Sequence, residues 1–171
     1  MANIDLYIPK LIKHEGGYVN HPLDKGGATK YGVTLNTWKQ LGYDKDGNGK
    51  IDSEDIRLLN IKDATLIIRR YWDMWKADEI VNQSVAELLV DWVYTSGNWG
   101  IRIPQRVLKV KEDGIVGKNT LNALNSLNQR QLFDQLFKER ERFFRNIVKN
   151  NPEQSVFLEG WLNRLNTFKY E

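Results

Sequence analysis

Apolar residues recur along most of this chain at the three-and-four spacing of amphipathic helices. Ile4, Tyr7, Ile8, Leu11 and Ile12 form the first stripe. The next position on that face is Glu15, and Gly16-Gly17 ends the helix immediately after it. Leu35–Leu41 and Ser53–Leu59 are helix-compatible segments. Ala64, Ile67, Ile68, Tyr71 and Trp75 predict a helix over 63–75, and Val85, Leu88, Leu89, Trp92 and Val93 predict another. Ile103 to Leu108 reads as a short helix with Pro104 in its first turn. Asp113-Gly114 is a turn, and Asn119 or Thr120 is placed to cap the helix that runs through Leu127. A long polar-faced helix spans about Gln129 to Lys149 and breaks at Asn150-Asn151-Pro152. Leu158, Trp161, Leu162, Leu165 and Phe168 mark a final one. Strand signals are confined to about residues 17–34, where turn formers predict a hairpin or irregular loop and Tyr31-Gly32-Val33-Thr34 reads as extended. The pattern predicts a mainly α fold with a small β hairpin.

Glu15 occupies a position where the stripe calls for a core residue. Burial disfavours the charged form of a carboxyl, so its pKa is expected to rise. A carboxyl that is protonated at neutral pH can serve as a general acid. The competing reading is a helix-end Glu that reaches back to water. Asp24 follows nine residues later, before Gly26-Gly27, and Thr29 comes next on the returning segment. A buried carboxyl, an ionised carboxylate and a hydroxyl that can hold a water suit glycoside hydrolysis. Taken singly, Asp24 also suits a loop-capping turn, and Thr29 ordinary strand packing. Whether such a pair inverts or retains depends on a carboxyl separation that sequence does not supply. Tyr18 and Tyr31 sit in the turns beside these residues and are candidates for stacking on a sugar ring. Trp99, in a loop after Gly97-Asn98, is a third. Trp72, Trp75, Trp92 and Trp161 occupy core-spaced positions. His14 and His21 flank Glu15 but form no metal-binding set.

Residues 44–55 carry the most specific local motif. An EF-hand calcium loop places oxygen ligands at positions 1, 3, 5, 7, 9 and 12, with glycine at 6. Asp44, Asp46, Asn48, the Lys50 carbonyl, Asp52 and Asp55 fill those places, and Gly49 supplies the turn. Position 12 is Asp55 in place of Glu, a shorter reach, as in dockerin-like loops. The expectation is a structural calcium ion; the alternative is a solvated acidic turn.

Glu15-Gly16-Gly17-Tyr18 and Asp24-x-Gly26-Gly27-x-Thr29-x-Tyr31-Gly32-Val33-Thr34 resemble the glycoside hydrolase 108 family of N-acetylmuramidases, found in phages and bacteria. The Glu-x8-Asp-x4-Thr spacing is also similar to the Glu-x8-Asp-x5-Thr signature of phage-type lysozymes, with the Thr one residue closer here. Tyr71-Trp72, Asp91-x-Val93-x-x-x-Gly97, Gln105, Asp113-Gly114-Ile115-Val116-Gly117-x-x-Thr120-Leu121 and Gly160-Trp161-Leu162-Asn163-Arg164 follow in the family's order. One departure is Thr95, where the family has an amide. The resemblance implies a lysozyme-like fold with catalytic residues Glu15, Asp24 and Thr29. It implies a catalytic region over 1–95 that includes the calcium-type loop, and a helical peptidoglycan-binding region over 96–171 packed with the first as one body. The implied activity is cleavage of peptidoglycan between N-acetylmuramic acid and N-acetylglucosamine. Two alternatives stay open: a lytic transglycosylase, which needs one Glu and leaves anhydro ends, and a noncatalytic calcium-dependent wall-binding module.

Composition narrows the setting. The 171 residues can bury a core without staples, and there are no cysteines. Lys and Arg number 25 against 22 Asp and Glu, scattered along the chain, a balance too weak for a nucleic-acid surface. No secretory signal and no membrane-spanning stretch are evident. The expectation is therefore a monomer made in the bacterial cytoplasm that reaches its glycan strands after a phage holin or cell lysis admits it to the wall.

Overall fold

The computed structural model of the chain describes residues 1–14, 18, 20 and 27–171. Its elements are α1 (Ile4–His14), β1 (Thr29–Lys30), β2 (Val33–Thr34), α2 (Leu35–Leu41), α3 (Ser53–Arg57), α4 (Ile61–Met74), α5 (Gln83–Ser96), α6 (Trp99–Val107), α7 (Lys118–Ser126), α8 (Gln129–Asn150) and α9 (Ser155–Leu165). The chain forms two compact units, Asp5–Arg70 and Met1–Ile4 with Tyr71–Glu171. Among the described residues no helix is long and apolar enough to cross a membrane.

In the Asp5–Arg70 unit, Val33, Trp38, Ile56, Ala64 and Ile67 are fully buried. Thr34 ends β2 and caps α2, its hydroxyl accepting the Thr37 N–H at 3.2 Å. The Trp38 ring packs so closely on the chain leaving α2 that a Cβ at Gly42 would lie 2.1 Å from it. Only glycine fits there. The Trp38 indole N–H then donates to the Tyr43 carbonyl at 2.8 Å, which sets the course of the chain into the 44–55 loop. At the start of α4, Asn60 and Asp63 bond reciprocally, side chain to backbone, at 3.0 Å each.

The second unit is built around α5, where every residue from Ser84 to Val93 is buried. The Asn82 side chain caps α5. Both ends of the chain bond near its start: Ala2 donates to the Ile80 carbonyl, Asn3 and Gln83 bond reciprocally, and the Glu171 N–H donates to the Ser84 hydroxyl. Helix α6 crosses α5 at Gly100, whose Cβ, if present, would lie 2.4 Å from the Val93 backbone nitrogen. The helix begins at Trp99, so Pro104 stands in its interior and not in its first turn as the sequence suggested. A proline in that place cannot donate to the carbonyl four residues back. That carbonyl belongs to Gly100, and the buried Trp75 indole bonds it at 3.3 Å. Tertiary packing supplies the donor that the helix lacks.

Asp91, on the buried face of α5, has no exposure to water. Arg140 of α8 donates to it at 2.7 Å, and Arg164 of α9 grips both carboxylate oxygens through Nε and Nη2. Arg140 also lies over the rings of Phe144 and Phe168. Burial pushes the Asp91 carboxyl up, but the Arg164 and Arg140 guanidiniums outweigh it and hold the group well below the usual carboxylate range. Trp161 is half-buried, stacked between Phe144 and Phe157, while Trp72, Trp75 and Trp92 are fully buried.

Removing the Asp91 charge strands two guanidiniums. Asp91→Ala is expected to cost about 3–5 kcal/mol in urea unfolding. The depressed folded-state pKa also fixes a sign. The Asp91 contribution is complete above the unfolded-state value, about pH 4, and is lost as pH falls below it. Acid unfolding should therefore be less steep in the variant; equal slopes would remove Asp91 from the acid limb.

Candidate functional site

The hairpin β1–β2 is antiparallel, with Thr29 opposite Thr34 and Lys30 opposite Val33. Its connection is two residues, Tyr31 and Gly32, with φ of 52° and 76°. Two positive φ values match the right-handed twist of the flanking strands. Gly32 adopts this freely, whereas Tyr31 is strained there by about 1–2 kcal/mol. The sequence suggested an extended Tyr31-Gly32-Val33-Thr34; the extended residues are Thr29, Lys30, Val33 and Thr34, and Tyr31-Gly32 is the turn between them.

Around this hairpin the structure gathers three of the residues singled out from sequence. The Thr29 hydroxyl donates weakly to the Gly27 carbonyl at 3.4 Å and keeps its lone pairs as acceptors. The Lys30 ammonium lies 5.6 Å from the Tyr31 ring centroid and donates to the Arg57 carbonyl at 2.6 Å. The Arg57 guanidinium in turn covers the Tyr18 ring at 4.0 Å. Tyr18 and Tyr31 are thus linked through Lys30 and Arg57, and Thr29 precedes Lys30 on β1. Sequence reasoning missed both cations, because the Lys30–Arg57 and Arg57–Tyr18 contacts join residues 27 or more positions apart. Glu15 and Asp24 lie outside the described residues; Glu15 directly follows the last residue of α1.

Along the 44–55 loop the carboxylates organise the backbone. Asp44 accepts the N–H groups of Gly47 and Gly49, and both glycines have positive φ. Asp46 accepts from the Asn48 backbone and side chain, and Asn48 Oδ1 accepts the Lys50 N–H. Asp55 is fully buried and accepts from Lys45, Asp46 and Asp52. Burial pushes the Asp55 carboxyl up, but those N–H groups prevail and hold it below its ordinary value. Desolvation and the neighbouring Asp44 and Asp55 carboxylates push Asp46 the other way. Oxygens of Asp44, Asp46 and Asp55 all lie within 4.8 Å of one another. Asp52 stands apart from this set; its carboxylate accepts the Glu54 N–H and caps α3. Lys45 ties the loop to α4, its ammonium 2.7 Å from the Asp63 carboxylate.

In the other unit Trp99 opens α6, about half exposed, with Arg102 5.2 Å from its ring centroid. The 113–120 segment is organised by Gln105, a fully buried side chain. Its amide donates to Asp113, the Ile115 carbonyl and the Thr120 hydroxyl, and its oxygen accepts the Gly114 N–H. The residue at the N-cap of α7 is Gly117, with no side-chain bond, so neither Asn119 nor Thr120 caps it as the sequence suggested. Thr95 accepts from Arg140 at 3.1 Å, so its hydroxyl serves the buried Asp91 cluster.

The family model for glycosyl hydrolase 108 matches residues 8–97, more than half of the chain. The chain belongs to the glycosyl hydrolase 108 family. Residues 99–166 of this family 108 hydrolase match a second model, described as a predicted peptidoglycan domain. A solved structure, SagA of Brucella abortus, is similar at 28% identity with a TM-score of 0.81, covering 96% of this chain and 90% of that one. No curated protein matches. The family 108 hydrolase is a glycoside hydrolase of the lysozyme type, from a family of peptidoglycan hydrolases, with a peptidoglycan-binding region after the hydrolase region.

The three N–H groups on Asp55 give a test that needs no metal. In the presence of a chelator, Asp55→Ala is expected to lower stability by about 1–3 kcal/mol, through stranded donors and a lost helix cap. Chemical denaturation measures it; an unchanged midpoint would show that the loop contributes nothing by itself.

Proposed function

We propose that this family 108 hydrolase is an N-acetylmuramidase, cleaving the glycan strand between N-acetylmuramic acid and N-acetylglucosamine. The observation that carries the reading is the family match over 8–97, a span that contains Glu15 and Asp24 at the spacing of a lysozyme-type acid and carboxylate, with the Thr29 hydroxyl one residue closer than in phage-type lysozymes. Glu15 delivers its proton to the glycosidic oxygen as the bond breaks. Asp24 supplies negative charge to the sugar carbon that becomes electron-poor, or takes a proton from the incoming water. Thr29 accepts a hydrogen bond from that water. Tyr18 and Tyr31 offer aromatic faces to the sugar rings, and the strain held at Tyr31 supports a role for its ring beyond packing. Trp99 is a further stacking surface. None of these steps calls for a metal.

Glu15→Gln keeps the size of the side chain and removes its proton. Turnover of purified peptidoglycan is expected to fall about 10²–10⁴-fold with an unchanged melting temperature. Asp24→Asn should also be strongly impaired, and wild-type products should carry ordinary reducing ends by mass. Anhydro ends together with a fully active Asp24→Asn protein would make the enzyme a transglycosylase.

We also propose that the 44–55 loop holds a structural calcium ion. Two oxygens bound to one calcium at about 2.3–2.6 Å are separated by about 5 Å at most, and the Asp44, Asp46 and Asp55 oxygens meet that limit. These are hard oxygen donors of the kind calcium takes. Asn48, the Lys50 carbonyl and Asp52 complete the set, Asn48 and Asp52 by turning from their present partners or through water. The ion would offset the repulsion among the three carboxylates and hold the loop between α2 and α3. Binding to the folded state alone adds about 2.7 kcal/mol at a hundredfold excess over Kd. Calcium should therefore raise the melting temperature, and chelation should lower it. Calorimetry without heat of binding at millimolar calcium would end the proposal.

A further inference from the structure

The turn that Gln105 organises opens onto a cleft. It has a volume of about 440 Å³ and is lined by Val110, Lys111, Asp113, Ile115 and the first turn of α7 from Gly117 to Thr120. Its floor is rigid. Gln105 bonds four groups of the segment, and Gly114 packs so tightly, at a φ of 73°, that a Cβ would lie 2.4 Å from the Asn98 side chain. Lys111 and Lys118 are exposed on its walls. The one carboxylate among the lining residues, Asp113, is turned to the Ile115 N–H and the Gln105 amide. Ile115 is 70% exposed, an apolar side chain on the rim that covers nothing in the fold. Arg102 joins this rim to Trp99, donating to the Glu112 carbonyl at 3.2 Å while lying over the indole. The cleft thus combines a hydrogen-bonded backbone, two lysines, the Asp113 carboxylate whose charge Lys111 favours, an apolar contact and a nearby aromatic face.

We propose that this cleft binds the peptide stem of peptidoglycan, with Lys111 and Lys118 receiving a stem carboxylate and Ile115 packing on the peptide. The inference rests on peptidoglycan being the substrate, and it gives the second region a defined ligand chemistry. Every lining residue falls within the 99–166 match to a predicted peptidoglycan domain. Charge complementarity selects the peptide over the glycan of an intact wall, because the stem bears carboxylates whereas N-acetylglucosamine is neutral and the lactyl carboxyl of N-acetylmuramic acid is tied up in the amide to the stem. The first turn of α7, where Lys118 and Asn119 are exposed and no side chain caps the helix, adds backbone donors to one wall.

Co-sedimentation of the full-length protein tests this with two insoluble substrates, both stripped of phosphate-bearing wall polymers. One is intact peptidoglycan and the other is the same glycan with its peptides removed by an amidase and the freed lactyl carboxylates capped as neutral amides. Binding is read after a brief incubation on ice, before hydrolysis can dissolve the wall. Wild type should bind the intact wall more tightly. Lys111→Glu with Lys118→Glu should weaken that binding about tenfold or more and abolish the preference. Lys149→Glu with Lys169→Glu changes net charge equally and should leave binding intact, and circular dichroism should show all three proteins folded alike. Equal wild-type binding to both substrates, an unaffected Lys111/Lys118 variant, or a parallel loss on both substrates would overturn the cleft assignment while leaving the peptidoglycan reading standing. A third preparation that retains its phosphate polymers is sedimented alongside, and wild-type binding to it alone would reassign the cleft to phosphate. Binding to no wall preparation would sink the peptidoglycan reading itself.

Discussion

Asp91 carries its charge in a place that water does not reach, and the second unit is arranged to answer that charge. A buried carboxylate is tolerated only when opposite charges and donors surround it. Arg164 meets it with two nitrogens, Arg140 with one, and the stems of those arginines belong to α9 and α8. The three helices are therefore brought to one register by a requirement that no apolar contact could impose as sharply. Thr95 is drawn into the same cluster, its hydroxyl accepting from Arg140.

The same constraint recurs at smaller scale where function is expected. Asp55 holds three N–H groups of the 44–55 loop, so that the loop closes onto the start of α3. Gln105 does the equivalent for the 113–120 turn. In both cases a buried polar side chain replaces regular secondary structure as the source of order for an irregular segment. Such segments can present groups outward because their backbone is already satisfied. The Asp44–Asp46 edge of one and the Lys111–Lys118 walls of the other are the parts left to meet a ligand.

Around the hairpin the logic is different. Tyr31 is strained, and its neighbourhood is cationic and aromatic, with Lys30 and Arg57 joined through a single hydrogen bond. Arg57 ends the short helix that Asp52 and Asp55 begin, so the acidic loop, α3, the Tyr18 ring and the strand bearing Thr29 form one continuous chain of contacts. The calcium ion proposed for the loop would be felt along that chain as far as the hairpin.

Much of this protein could be read from residue order. Helical periodicity located α1, α4, α8 and α9, because one face of each meets a core and the period of 3.6 survives in the sequence, and apolar spacing located α5 although it is buried on every side from Ser84 to Val93. The acidic loop was legible because its geometry is local: twelve consecutive residues carry the spacing, and their hydrogen bonds rarely span more than ten positions. Local spacing also suggested Glu15, Asp24 and Thr29, of which the structure describes Thr29. What residue order could not supply were arrangements made between distant segments. Pro104 looked like a helix start because the indole that answers the Gly100 carbonyl is 25 positions away from it. Tyr31 looked extended because a left-handed φ is imposed by the pairing of strands on either side, not by the tyrosine. The Asp91 cluster joins residues 49 and 73 positions apart, and Arg57 reaches Tyr18 across a hairpin and two helices. Periodicity records which face of an element is buried; only the folded chain decides which charge or ring it is buried against.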